Sequence, residues 1–478
     1  MKDMANDELP EGWAKCLIGE ISPVVGGGTP PSKDVTNFTQ AGGIPWLTPA
    51  DLSGYREIYI SRGARNLTDK GFSESSAKML PKGALLFSSR APVGYVAIAS
   101  NPVCTNQGFK SFVLPKGFDS RFGYYYLRHI KPLAEDMATG TTFKELSGGT
   151  AAQLPFVIAP LAEQKRIADK LEAVLGRVDA CRARLDRVPD LLKRFRQSVL
   201  AAATSGQLTE DWREENKATF ETPPHEVVAD DLEELPSGWF WSCPEKIRKD
   251  ERYALAIGPF GSNLKVSDYR ESGVPLVFVR EIRSRSFGGS NTKFVTCEKA
   301  EELKAHSASG GDLLITKMGD PPGDVAVYPT HAPTAIITAD CIKLRVDSAK
   351  AKTTFVSYVI ESPQARARLL DIVAGVAQQK ISLERFRDFP LQVAPLPEQA
   401  EIVRRVEALF ALADRIEARL TAARAQVERL TPATLSKAFR GDLVPQDPND
   451  EPASKLLERL GQSIAATGKN TRKAVKAR

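Results

Sequence analysis

LPFVIAPLAEQKRIADKLEAVLGRVDACRARLDRVPDLLKRFRQSVLAAATSGQL (154–208) occurs in this chain a second time, as FPLQVAPLPEQAEIVRRVEALFALADRIEARLTAARAQVERLTPATLSKAFRGDL (389–443). The copies lie 235 residues apart at both ends, align without a gap and share about a third of their positions, which marks an internal duplication. In the first copy apolar residues fall at Ile167, Leu171, Val174, Val178, Cys181, Leu185, Val188, Leu192, Phe195 and Val199. Alternating steps of four and three are the seam of a coiled coil. The second copy keeps the register with Ile402, Val406, Leu409, Ala413, Ile416, Leu420, Ala423, Val427, Leu430 and Thr434, while charged residues fill most other positions. Glu163-Gln164 and Glu398-Gln399 place carboxylates in the first turn behind Pro160 and Pro395, and Gly206 and Gly441 end the run. A helix from Glu163 to Leu200 would span roughly 55 Å. Pro189 and Pro432 fall inside these spans, so a kink or an early end is expected near each.

Working outward from the helices, 478 residues exceed what one core can hold and suit two to four domains. Hydrophobic content of 42% and charged content of 26% are those of an ordinary soluble protein. No apolar run is long enough to cross a bilayer and the first residues lack a signal peptide's apolar segment, so a cytoplasmic protein without a membrane partner is expected. Cys16, Cys104, Cys181, Cys243, Cys297 and Cys341 are scattered without a CxxC pair and read as reduced core thiols. His129, His225, His306 and His331 are similarly isolated, so local sequence builds neither a metal site nor a histidine-based nucleophile relay. The net charge of +6 does not identify a polyanion partner, because the tail TGKNTRKAVKAR alone carries five basic residues.

Ahead of the first helix, short β-rich runs separated by Gly and Pro (GGGTPPSKD, AGGIPWLTP, LPKGALLFSS, GYVAIAS) lead into the helical RFGYYYLRHIKPLAEDM and the polar loop ATGTTFKELS. The plan then recurs. LPSGW at Leu235 answers LPEGW at Leu9, GVPLVFVREI answers GIPWLTPADL, GGDLLITK answers KGALLFSS, TADCIKLRV answers CTNQGFKSFVL, and GVAQQKIS answers GTTFKELS. These echoes drift in spacing whereas the helices do not. The expected organisation is α+β: globular domains at 1–153 and 235–388, helical regions at 154–208 and 389–443, an acidic linker at 209–234, and a short helix with a basic tail at 444–478. The two helices are expected to pair antiparallel, each covering the other's seam in a pseudo-twofold arrangement with a globule at either end. A rigid rod between two readers would fix the distance between two sites on one DNA duplex.

Nearly the whole chain resembles the specificity subunit of type I restriction and modification systems, on GGGTPPSKD with GGIPWLTPADL, GPFGSNLK, the paired APLAEQKRIADKL and APLPEQAEIVRRVE, and KAFRGDL. The resemblance implies two target recognition domains that each read half of a split site on double-stranded DNA, and two helices that set the spacer and dock the modification subunits. It also implies no catalysis and no cofactor in this chain. Two methyltransferase subunits would methylate adenine N6 with S-adenosylmethionine, and restriction subunits would add cleavage with ATP and Mg.

Two other readings compete. A self-contained adenine methyltransferase is suggested by Asp320-Pro321-Pro322-Gly323, which resembles the D-P-P-aromatic motif of amino methyltransferases, but Gly323 removes the ring that stacks on the flipped base and no glycine-rich cofactor turn accompanies it. A turn between two strands is the expected role. A protein-binding coiled-coil scaffold leaves two divergent, loop-rich domains unexplained. Gly26-Gly27-Gly28 and Gly258-Pro259-Phe260-Gly261 lack the spacing and lysine of a phosphate-binding loop, so a close backbone approach to DNA or to the domain's own sheet is expected. Base edges are read by Arg, Lys, Asn and Gln, and phosphates are held by Lys, Arg, Ser and Thr. The candidates in the first domain are Thr29, Lys33, Arg56, Ser88, Ser89, Arg90, Asn106, Gln107 and Lys144. In the second they are Ser262, Asn263, Lys265, Arg280, Arg283, Arg285, Lys317, Gln378, Gln379 and Lys380.

Overall fold

The duplicated stretches fold as two helices of 44 residues each, Leu161–Thr204 and Leu396–Phe439, in a computed structural model that describes residues 9–140, 144–216, 223–227, 232–374 and 380–460. The chain divides into two compact units, Met1–Leu185 with Ala422–Arg478, and Asp186–Thr421, so each unit holds one globule and half of each long helix.

Both helices run through their prolines, so of the expected kink or early end the early end does not occur. Pro189 has no N–H for the carbonyl of Leu185, four residues back. In the first unit that carbonyl accepts a hydrogen bond from Arg424 Nη2 at 3.3 Å, which replaces the missing donor. Arg424 stands 235 residues after Pro189, in the same register of the repeat.

Within each unit the helix halves pair antiparallel. In the first, Arg182 Nε donates to Glu428 Oε1 at 2.8 Å, while Ile167, Leu171 and Leu175 share a core with Leu435, Ala438 and Phe439. In the second, Arg196 Nη2 reaches Asp414 at 2.6 Å and Glu417 at 3.0 Å, and Val199, Leu200 and Ala203 share a core with Ile402 and Val406. Of the expected seam, Ile167, Leu171, Val178, Leu192, Val199, Ile402, Val406, Ala413 and Leu420 are buried, and Val174, Leu185, Val188, Phe195, Leu409, Ala423, Val427 and Thr434 half-buried. Cys181, Ile416 and Leu430 are exposed instead. A 3.6-residue helix drifts about 20° per heptad against a seven-residue pattern, so one straight seam cannot stay covered along the whole helix, and Leu175, Leu200 and Leu435 are buried off the seam.

The first globule holds a five-stranded mixed sheet in the order Val24–Gly26, Lys110–Phe112, Leu85–Ser89, Val93–Ala99 and Tyr59–Ile60, with the helices Ser120–His129 and Lys131–Met137 against it. The second holds Leu255–Ile257, Cys341–Leu344, Leu313–Thr316 and Val325–Val327 in the corresponding order. Smaller ladders recur as well: Trp46–Leu47 runs parallel to Cys104–Thr105, as Val274–Val277 runs parallel to Ala335–Ile337. In each unit a strand near the start of the globule, Ala14–Leu17 or Phe240–Ser242, pairs antiparallel with the strand that feeds a long helix, Pro155–Ile158 or Leu391–Val393. Trp13 and Trp239 follow LPEG and LPSG and are buried against Phe122 and Phe355. Burying each ring stabilises the joint between globule and helix by about 2–3 kcal/mol.

The acidic stretch after the first long helix opens with a 3-10 turn, Gln207–Thr209, and a helix, Glu210–Glu215, whose Arg213 reaches the buried Glu398. Residues 453–460 are helical, with Ala453 and Leu456 in the first unit's core; the basic tail at 469–478 lies outside the described residues. The cysteines depart from the core reading at two places. Cys181 faces out from its helix and Cys297 opens the surface helix Cys297–Glu302, so both are exposed, whereas burial pushes the Cys104 and Cys341 thiols up to about 12. Among the described residues no helix is long and apolar enough to cross a membrane, and no three His, Cys, Asp or Glu side chains gather as a metal site.

Candidate nucleic-acid interface

In the first unit the tight turn after Leu85–Ser89 is held from inside. Ser88 Oγ donates to Pro92 O at 2.7 Å and accepts from Tyr95 N at 2.8 Å, and both Ser88 and Ser89 are fully buried. Ser88 therefore shapes the turn, and neither side chain is exposed to a ligand; both belong to a strand buried on both faces. The turn presents Arg90. The segment carrying Lys144 passes beside it, pinned by Leu146 N to Ser89 O at 2.9 Å. Arg90, Asn106 and Lys144 meet in one cleft of about 750 Å³ with Thr48, Glu135 and Glu145. Glu145 lies 3.8 Å from Arg90 and 3.9 Å from Lys110, and Lys144 Nζ donates to Glu135 O at 3.3 Å. Next to Asn106 stands Gln107, whose Oε1 accepts from Thr29 Oγ1 at 2.5 Å. Lys33 follows on the same exposed loop. Arg56 is placed apart, in a cleft of about 590 Å³ with Tyr55, Tyr95, Tyr124 and Arg128.

The second unit builds the same corner. Thr316 Oγ1 accepts from Asp324 N at 2.8 Å, as Ser88 accepts from Tyr95, and Ile381 N donates to Lys317 O at 3.0 Å, as Leu146 does to Ser89. Lys317 and Lys380 are thus brought together; Gln378 and Gln379 lie outside the described residues. Asp320-Pro321-Pro322-Gly323 forms the turn between Leu313–Thr316 and Val325–Val327, the position Arg90-Ala91-Pro92 holds in the first unit. Ser262, Asn263 and Lys265 sit on an exposed loop. The three arginines are engaged with acids. Arg280 Nε donates to Glu281 at 2.7 Å; Arg283 sits against the same turn, with Nε to Asp324 at 2.8 Å and Nη2 to Pro321 O at 3.4 Å; Arg285 pairs with Glu361, and Arg283 and Arg285 line a cleft of about 440 Å³ with Gly323, Asp324, Lys193 and Arg196.

The glycine loops approach their own sheets. A Cβ on Gly27 would stand 2.0 Å from Thr105 O, and one on Gly258 1.9 Å from Thr338 O. Sequence reasoning passed over Glu145, whose charge balances Arg90, and the exposed Val35, Val266 and Phe260. An apolar residue inside a polar loop was the available signal for the last three.

What the two corners can do is hold a polyanion with lysines and arginine and present amide and hydroxyl groups to it. The family model described as type I restriction modification DNA specificity domain matches residues 10–188 and 286–423. The chain is 30% identical over 503 residues to the type I restriction enzyme EcoKI specificity subunit of Escherichia coli (strain K12), covering 97% of this chain and 98% of that one. It is 30% identical over 476 residues to the EcoBI specificity subunit of Escherichia coli, covering 96% and 94%. Among solved structures, a chain from a study of complex assembly and conformational transition of the type I R-M system matches with a TM-score of 0.67 at 18% identity, covering 91% of this chain and 99% of that one. The HsdS subunit from Thermoanaerobacter tengcongensis matches with a TM-score of 0.56 at 18% identity, covering 91% and 98%. This chain belongs to the family of type I restriction-modification specificity subunits, and its part in such a system is DNA recognition without catalysis.

Proposed function

We propose that each unit reads one half of a bipartite site on double-stranded DNA, that the long helix pair fixes the spacer between the halves, and that it docks two methyltransferase subunits. The observation that carries the reading is the repeat itself: a frame duplicated without a gap supports two globules whose loops have diverged. Diverged loops on a constant frame suit two different half-sites at one separation. Phosphate contacts supply most of the affinity and base edges the discrimination. The reading places S-adenosylmethionine on the methyltransferase subunits, which act on flipped adenines, and ATP with Mg on restriction subunits. It places the complex in the cytoplasm, where the DNA is. The candidate contacts are Arg90, Asn106, Gln107, Lys144 and Thr29 in one unit and Lys317, Lys380, Ser262, Asn263 and Lys265 in the other.

The test is to map adenine methylation in cells carrying this chain with and without its methyltransferase partner. A two-part motif with a constant gap, present only with both, is expected. Methylation by this chain alone would restore the enzyme reading, and methylation without any two-part motif would remove the recognition role.

A further inference from the structure

The loop after the first sheet strand is one loop used twice. Val24–Gly26 pairs with Lys110–Phe112 as Leu255–Ile257 pairs with Cys341–Leu344, and residues 26–37 and 257–268 then align 231 apart without a gap. Both lay a glycine backbone on the sheet, and both end in a 3-10 turn, Val35–Asn37 or Val266–Asp268. The first residue of each turn is valine, 79% exposed in one unit and 78% in the other. A single exposed valine is ordinary on any surface. The same valine at the same register of two loops that otherwise share little is a retained feature. Lys33 and Lys265 flank the two valines, and among the described residues neither has an ion-pair partner. The tip is thus apolar with a free cation beside it.

The loops differ where they begin. Thr29, whose hydroxyl is held by Gln107, aligns with Phe260, which is 69% exposed. One unit offers a hydroxyl and an amide; the other offers an exposed ring.

We propose that these loop tips touch bases in the major groove, and that Val266 with Phe260 packs on a thymine methyl in the second unit's half-site, while the first unit reads its half-site through the Thr29–Gln107 pair beside Val35. The inference rests on the DNA-recognition reading above. The thymine methyl is the apolar feature of the major groove, and Gln is the side chain that pairs with adenine there. The flanking lysines meet phosphates.

The experiment uses the full chain assembled with its methyltransferase partner and duplexes carrying the methylated motif. Thymines of the second unit's half-site are replaced one at a time by deoxyuridine, which lacks only the methyl group. At one position or more the unaltered complex should lose about three- to fivefold in affinity, the worth of one buried methyl. Complexes with Phe260→Ala or Val266→Ala should be indifferent to that replacement and unchanged toward the first half-site. Phe260→Thr, which installs the first unit's residue, serves as the second variant at the same exposed place. A complex that keeps its motif but ignores every thymine methyl overturns the inference alone, as do variants that keep full methyl sensitivity, which would assign the tips to a protein contact. A complex that binds all duplexes alike overturns the recognition reading and the inference together.

Discussion

Glu163 and Glu398 occupy one position of the repeat, in the first turn of the two long helices, and both are buried, at 1% and 0% exposure. Each accepts a hydrogen bond from an indole, Trp13 Nε1 at 2.9 Å and Trp239 Nε1 at 2.8 Å. There the likeness stops. Glu398 also accepts from Thr209 Oγ1 at 2.8 Å and Arg213 Nη1 at 2.5 Å. Glu163 Oε1 is buried without a partner, and Arg166 is taken by Asp450 at 2.6 Å. In the register of Thr209 and Arg213 the first unit has Val444 and Pro448, which offer no side-chain donor. Burial therefore raises the Glu163 pKa, with the Trp13 hydrogen bond opposing it second. The duplication has kept the place of the charge and the indole that marks it, but compensated the charge in only one copy.

The largest effect that sharpens this comparison is at Glu398. Glu398→Ala leaves the guanidinium of Arg213, 15% exposed, and two neutral donors unpaired, and should cost about 3–5 kcal/mol. Glu163→Ala orphans one indole donor and should cost about 1–3 kcal/mol. Urea unfolding of both variants followed by tryptophan fluorescence measures the gap. Equal costs would break the comparison, since they would mean that Arg213 and Thr209 add nothing.

Much of this architecture was legible in the sequence because it repeats. The offset of 235, the LPEGW and LPSGW signatures and the four-three pattern gave the helices, the paired units and the antiparallel seam. Compensation between distant residues was not legible. Pro189 forecast a kink or an early end, yet the helix continues and the carbonyl Pro189 strands is served by Arg424, far away in the chain. Ser88 and Ser89 were candidates for DNA contact, yet one closes a turn and both are buried, because strand alternation fails where a strand is covered on both faces. Arg283 and Arg285 were read as DNA contacts, yet Asp324 and Glu361 pair with them across the fold. Lys144 and Arg90 lie far apart in the chain and become neighbours across the backbone bond between Leu146 and Ser89. Single residues were thus less readable than the regions that hold them.

A smaller effect tests whether the helices too are compensated unequally. Arg424→Leu should cost about 1–2 kcal/mol by leaving the Leu185 carbonyl without its donor. In a Pro189→Ala background the helix supplies its own N–H, and the same substitution should cost less by about 1 kcal/mol. A double-mutant cycle on thermal unfolding reads the difference. Additive costs would show that the helix tolerates Pro189 for another reason.

The smallest effect is also the one whose sign distinguishes the two glutamates. Glu163 has a folded-state pKa above its ordinary value of 4.5, so between those two values the folded chain holds a proton that the unfolded chain has released. Its contribution to stability is fully present below the unfolded pKa and is lost as pH rises through the folded one. Glu163→Gln removes that titration while keeping the shape and an acceptor for Trp13. Relative to this variant, the unaltered chain should therefore be most stable below pH 4.5 and lose ground toward pH 8, where the variant is expected to melt at the same temperature or slightly higher. Glu398→Gln should lower the melting temperature at pH 8, because an amide accepts more weakly from Arg213 and turns its own N–H groups toward donors. Opposite signs at one position of the repeat are the signature of a charge compensated in a single copy; melting temperatures that fall alike for both variants at pH 8 would show that Glu163 has a partner in solution after all.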